Sequence, residues 1–283
     1  MTQQLLKSRY GEGNQLSKHP SLSAISTTHE TFNASLENLL AHRSVRSYLP
    51  DALEEGTLEL LVAAAQSASS SSNLQVWSVI AVEDSERKEA LSHYAGNQAH
   101  IREAPLLLVW LADLSRSDRL AKRLDKEVKA IDYLETFLVA SIDAALAAQN
   151  AAVAAESLGL GTVYIGGIRN QPEHVSEVLG LPPLVFPIFG LVVGKPDPAR
   201  PSVIKPRLPQ EAVFFREKYG LSAEKEVEVI SNYDTVLTSF QTTHGLPKLP
   251  WSQHVLSRLL GPEALHGREH LSRILHARGF HLS

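Results

Sequence analysis

Cysteine is absent from the 283 residues, which excludes disulfides, thiolate nucleophiles and zinc sites built on cysteine. Positive charge is not in excess: 27 Lys and Arg stand against 31 Asp and Glu, a net charge of -4. No global basic field therefore draws the chain to nucleic acid or to an anionic membrane. No uninterrupted apolar stretch reaches the ~20 residues of a membrane-spanning helix. Residues 1–28 also lack the apolar segment, roughly 7–15 residues long, of a secretory signal. The expectation is a cytoplasmic protein with neither nucleic acid nor membrane as a partner.

Several catalytic signatures are missing as well. None of the 12 histidines forms His-Glu-x-x-His, so no metal site is expected. A Gly-x-Ser-x-Gly elbow is absent, which leaves a serine hydrolase with little support. Gly159-Leu160-Gly161 follows a helical segment and precedes a strand, the reverse of a dinucleotide-binding turn; helix capping explains both glycines.

What remains is the composition of a globular chain, 43% hydrophobic and 20% charged. Residues 1–30 read as a polar, flexible extension and 31–283 as the folded domain, with a C-terminal arm and helix over about 215–283. Thr31 or Asn33 caps a short first helix, and Leu58–Ala68 makes a second, rich in Leu, Val and Ala. Trp77–Val82 reads as a strand, Ser85–Tyr94 as a helix and Pro105–Leu111 as a central strand, apolar throughout. Tyr133–Leu158 is an alanine-rich helix with almost no polar face, hence central or pressed against a second subunit. Strands follow at Thr162–Ile165 and Val185–Val193, then a more polar arm to about Lys248 and an amphipathic helix from Ser252. Four strands alternating with helices predict a mixed α/β or α+β sheet protein.

Two short basic clusters concentrate what positive charge there is, His42-Arg43-Ser44-Val45-Arg46 and Lys205-Pro206-Arg207. Guanidinium forks, an ammonium and a hydroxyl suit a phosphate dianion, and convergence on one anion would offset their mutual repulsion. On composition alone, two solvated patches are the simpler account. Ser69–Ser72 reads as a loop able to present hydroxyls and N–H groups to a planar heterocycle, and Tyr164-Ile165-Gly166-Gly167 ends a strand where a ligand can approach the backbone.

Taken together, these segments resemble the NADPH-dependent nitroreductase and flavin reductase family of the oxygen-insensitive major type. The resemblance rests on six motifs in order: His42 to Arg46, the serine run to Asn73-Leu74-Gln75, Gly96 to His100, Ala148 to Gly161, Tyr164 to Asn170, and Lys205 to Pro209. It covers about residue 33 to the end. It implies an α+β fold, a three-layer α/β/α sandwich on a mixed, mostly antiparallel sheet, in an intertwined homodimer with FMN at the subunit interface. By the same resemblance His42, Arg43, Ser44, Lys205 and Arg207 hold the phosphate and ribityl end. Arg46 and Gln98 face the polar edge of the isoalloxazine. Ser70, Ser71 and Ser72 pack against the ring, and Tyr164, Ile165, Gly166 and Gly167 line its other side.

The implied activity passes hydride from NADPH or NADH through FMN to small planar acceptors, nitroaromatics, quinones or free flavin, in a ping-pong cycle that needs no catalytic side chain beyond Arg46 stabilising the reduced flavin. Two departures matter. Asn73 stands where the family typically has an aromatic, and Gln241–Pro250 offers only His244 and Lys248 where relatives place arginines for the 2′-phosphate of NADPH. Arg268 matches a family arginine. Use of both NADPH and NADH is therefore expected. The rival readings are a flavin-binding or sensing protein without turnover and a phosphate-binding module without FMN.

Overall fold

Residues 2–10 and 34–283 are described by the computed structural model. The expected caps Thr31 and Asn33 lie outside them, as does most of the 1–30 extension. In chain order the helices are α1 (Thr2–Tyr10), α2 (Ala34–Ala41), α3 (Thr57–Gln66), α4 (Ser85–Tyr94), α5 (Ala99–Glu103), α6 (Ser115–Arg123), α7 (Leu134–Ser157), α8 (Pro172–Val178), α9 (Ala223–Thr243), α10 (Trp251–Ser257) and α11 (Leu271–Ala277). The strands are β1 (Trp77–Val82), β2 (Leu106–Asp113), β3 (Gly161–Ile165) and β4 (Val185–Gly194). The chain divides into two compact units, one of Met1–Arg43 with Val203–Ala264, the other of Ser44–Ser202 with Leu265–Ser283. The divisions fall after Arg43, Ser202 and Ala264.

The second unit holds the sheet, ordered β1-β2-β4-β3 with every strand pairing antiparallel. Its one parallel feature is an isolated bridge between Ser44 and Thr162. β2 is buried along its whole length and alternates faces, as a strand between two helical layers must. Leu106, Leu108 and Trp110 pack with Leu61 of α3 and the alanines of α7; Leu107, Val109 and Leu111 pack with Leu91, Ile101 and Val175 of the opposite helices. That is the expected α/β/α sandwich. Pro187, which has no N–H to donate, sits at a register shift opposite Leu111, beyond the reach of β3.

α7, with 24 residues, is long and apolar enough to span a membrane by length and composition. It lies instead on the sheet, burying Ala140, Asp143, Ala144, Ala147, Ala148, Ala151, Ala152 and Ala155, whose small side chains let the helix approach closely. Gly159 (φ 77°) takes the left-handed position just past α7. Gly161 does not cap: it opens β3, and a Cβ there would lie 2.6 Å from Cγ2 of Val45. Close approach of the 44–48 segment, and not capping, is what requires that glycine.

In the first unit α9 occupies much of the arm that reads as merely polar. Ser222 caps it by accepting from the Lys225 N–H at 3.3 Å, and Val229 and Tyr233, four residues apart, are buried. Asp234 accepts from the Ser252 N–H at 3.0 Å, fastening α9 to the start of α10. α1 falls within the extension expected to be flexible; its Leu6 and Arg9 are buried.

Candidate functional site

Ser44 and Arg46 owe their places to the edge of β3. The Val45 N–H donates to Thr162 at 2.9 Å, the Tyr48 hydroxyl to the Val45 carbonyl at 2.7 Å, and the Leu49 N–H to Lys195 at 2.9 Å. This extended segment buries Val45 and Tyr48 and leaves Arg46 exposed. The Arg46 charge reaches His100, whose pKa is held below the usual histidine range by burial first and by Arg46 second, against the pull of Glu103. The ring Nε2 of His100 is buried without a hydrogen-bond partner.

Gln98 and Gly167 come together. The Gln98 amide donates to the Ala95 carbonyl at 2.8 Å. A Cβ on Gly167 would stand 2.3 Å from that carbonyl oxygen and 2.7 Å from Gln98 Nε2. Only glycine leaves the turn after β3 with its backbone bare beside Gln98. Gly267 (φ 92°) is fixed in a similar way, its Cβ position 2.6 Å from the Asn170 carbonyl, and this seats Arg268 beside the same turn. Arg169 feels it: burial, then the Arg268 charge, lowers the Arg169 pKa.

Tyr164 and Ile165 point to opposite faces of β3. The Tyr164 ring meets Phe189 edge-on at 5.3 Å and its hydroxyl donates to Gln149 at 3.3 Å, whereas the Ile165 side chain is sealed in the core. Ile165 can therefore offer a ligand its backbone alone. In the serine run, Ser70 Oγ donates to the buried carboxylate of Asp143 at 2.6 Å and the Ser71 N–H to the same group at 3.0 Å. Ser72 (φ 48°), Asn73 (φ 57°) and Gln75 (φ 52°) all take left-handed backbone, so the exposed turn is held in a strained shape. Asp143, a lone carboxylate among alanines, was the sequence signal for this anchor.

The remaining cations lie in the first unit. Pro206 is buried while Lys205 and Arg207 on either side are exposed, so extended backbone sends both cations the same way. The Pro206 carbonyl accepts from the Tyr233 hydroxyl at 3.0 Å. His42 and Arg43 leave the C-terminal end of α2, Arg43 donating to the Ala41 carbonyl at 3.2 Å. Arg9 joins the two segments: its guanidinium donates to the carbonyls of Leu40 (3.1 Å), His42 and Lys205 (3.4 Å), and its own carbonyl accepts from the Arg207 N–H at 2.8 Å. Nothing in composition or periodicity marked Arg9. Lys248, exposed in the same unit, lies within a turn pinned by reciprocal bonds between the Gln241 amide and the Leu249 backbone, both 3.0 Å.

Comparison with known proteins settles what such an arrangement belongs to. The family models "Nitroreductase family" and "Nitroreductase family, C-terminal domain" match residues 39–98 with 86–195 and residues 205–283. The chain belongs to the nitroreductase family. It is 41% identical over 228 residues to FMN reductase (NADPH) of Bacillus subtilis, covering 80% of this chain and 91% of that one. It is 40% identical over 254 residues to FMN reductase [NAD(P)H] of the same organism, 88% and 98% of the two chains. Among solved structures it is similar to the NfrA1 nitroreductase of B. subtilis (TM-score 0.82, 38% identity, 88% of this chain and 100% of that one). It is similar too to the NADPH:FMN oxidoreductase of Vibrio harveyi complexed with NAD+ (TM-score 0.79, 34% identity, 89% and 100%). Within the nitroreductase family, then, the basic clusters and the Gly166–Gly167 turn fall inside the matched regions, and α1 falls outside both family models.

Proposed function

We propose that this nitroreductase binds FMN and is an FMN-dependent oxidoreductase using NAD(P)H to reduce small planar acceptors, nitroaromatics, quinones or free flavin. One observation carries the reading. Among the described residues no carboxylate pairs with Arg43, Arg46 or Arg207, although the chain has more acids than bases. Cations left unpaired in an acidic protein call for an anion from outside it.

The residues fit the group. His42, Arg43, Ser44, Lys205 and Arg207 hold the phosphate, with Arg43 and Arg207 supplying forks and Lys205 a point charge. Gly166 and Gly167 offer bare backbone to the ring face, Gln98 sits beside them, and Arg46 places its cation at the edge where negative charge gathers on reduction. Ser70 holds the serine run through Asp143, leaving Ser71 and Ser72 to pack on the ring. Asn73 at the acceptor side gives a more polar wall than an aromatic would. Bound FMN supplies the redox chemistry, taking hydride from the nicotinamide and passing electrons to the acceptor. Lys248 and Arg268 bind the co-substrate.

A homodimer is part of the proposal. Leu134, Leu138, Ile142 and Leu146 recur every four residues along α7 and are 43–57% exposed, an apolar stripe opposite the alanine face. A second copy of that stripe is its natural cover. The reading places the enzyme in the cytoplasm, where its reductant is found.

Steady-state kinetics test the proposal. With FMN-loaded protein, varying NAD(P)H at several fixed quinone concentrations should give parallel double-reciprocal lines, because the two substrates never share the site. Absence of NAD(P)H-dependent quinone reduction would reject the enzyme.

A further inference from the structure

We propose that α1 is a latch on the phosphate cradle and that Arg9 is its positioning residue, setting how tightly this chain holds the phosphate of FMN. The inference rests on the FMN reading above and extends it to a segment outside the family-matched regions. Its relatives among the solved structures are covered almost to their full length while about a tenth of this chain is left over.

The geometry of one guanidinium carries the argument. Burying an arginine is costly unless its donors are filled. Arg9 is 6% exposed and fills them with three backbone carbonyls, two of which, Leu40 and His42, belong to the end of α2. The last carbonyls of a helix lack intrahelical partners and carry its partial negative charge, so a cation there satisfies both. The third carbonyl belongs to Lys205, 196 residues from Arg9 along the chain. Arg207 closes the loop by donating its N–H back to Arg9.

Consecutive peptide groups of the 205–207 segment are thereby tied: Lys205 by Arg9, Pro206 by Tyr233, Arg207 by Arg9. Every tie uses backbone of the cradle segments, and the side chains of Arg43, Lys205 and Arg207 are exposed. Arg9 touches no ligand in this arrangement. It acts by fixing the His42–Arg43 and Lys205–Arg207 segments in register, so that the cations are set before the phosphate arrives. A lysine could not replace it, since one ammonium cannot span three carbonyls with a planar fork.

The test compares FMN with riboflavin, which has the same ring and no phosphate. Dissociation constants of both are measured by flavin fluorescence quenching on flavin-stripped wild-type protein, Arg9→Ala, Arg9→Lys and a variant lacking residues 2–10, with thermal unfolding run in parallel. The latch predicts about a tenfold weaker FMN affinity in all three variants, with riboflavin affinity unchanged within about twofold. FMN affinity equal to wild type in Arg9→Ala and in the truncation would overturn the latch while leaving FMN binding intact. Equal losses for both flavins would overturn it too, as a merely structural effect. Wild-type protein that binds neither flavin would instead refute the reading beneath it.

Discussion

Ser70 donates its hydroxyl to Asp143 at 2.6 Å, and through that bond an exposed turn is fastened to the buried face of α7. Asp143 is the polar exception on the inner face of α7, and its two acceptors are used by Ser70 and Ser71. Asp143→Ala should therefore destabilise the protein by about 2–3 kcal/mol, since it strands both donors, and Ser70→Ala by about 1 kcal/mol. Urea unfolding of the two variants measures this. Flavin affinity should drop in Asp143→Ala, because the turn at Ser72 and Asn73 loses what holds its left-handed backbone.

The glycines divide by what surrounds them. Gly167→Ala drives a methyl into the Ala95 carbonyl and the Gln98 amide, so a loss of about 1–3 kcal/mol and a fall in flavin content are expected. Gly159 has a positive φ but no atom within 4 Å of its Cβ position. Gly159→Ala should cost about 1 kcal/mol from backbone conformation and leave flavin content at the wild-type level. Absorbance at the flavin band against protein concentration separates the two.

His100 gives a pH dependence whose sign follows from burial and the Arg46 charge, which together lower its folded-state pKa. Between that lowered value and the ordinary value of 6.5, the unfolded chain takes up a proton that the native protein does not. Stability is therefore complete above pH 6.5 and falls as the pH drops toward the folded pKa. Denaturant midpoints from pH 7.5 down to 5 should show a loss in the wild type that is smaller in His100→Gln. An identical pH profile for the two proteins would remove His100 from the account.

How much of this was legible in the sequence depended on the origin of each signal. β1, α4 and β4 stand within a residue of their expected bounds, the strands because apolar runs with clear breaks define them and α4 because Asp84 caps its start and Gly96 follows its end. α9 was missed because β-branched and polar residues blur its period, although Val229 and Tyr233 at four-residue spacing and Ser222 as cap were there to read. Gly161 looked like a cap because its true partner, Val45, is 116 positions away. The site was legible as motifs and not as contacts: nothing in the motifs announced that Gln98 and Gly167 are neighbours, that Ser70 bonds to Asp143 or that the Ile165 side chain lies in the core. Arg9 could not be found at all, since a guanidinium that binds backbone carbonyls leaves no pattern in residue types.

Nicotinamide preference should be weak. The turn from Gln241 to Leu249 is pinned, and Lys248 is the one Lys or Arg between Gln241 and Pro250. The specificity constants for NADPH and NADH are expected to lie within about tenfold of each other, since several charge-assisted contacts to a 2′-phosphate are absent. Lys248→Ala should raise the KM for NADPH about threefold and leave that for NADH unchanged, the modest effect of one exposed charge.

Anaerobic titration of the purified, FMN-loaded protein tests the central claim most directly. The account predicts that one equivalent of NADPH or NADH bleaches the yellow colour and that a nitroaromatic or quinone restores it. A yellow protein that neither reductant bleaches would contradict it, making the chain a flavin binder without turnover.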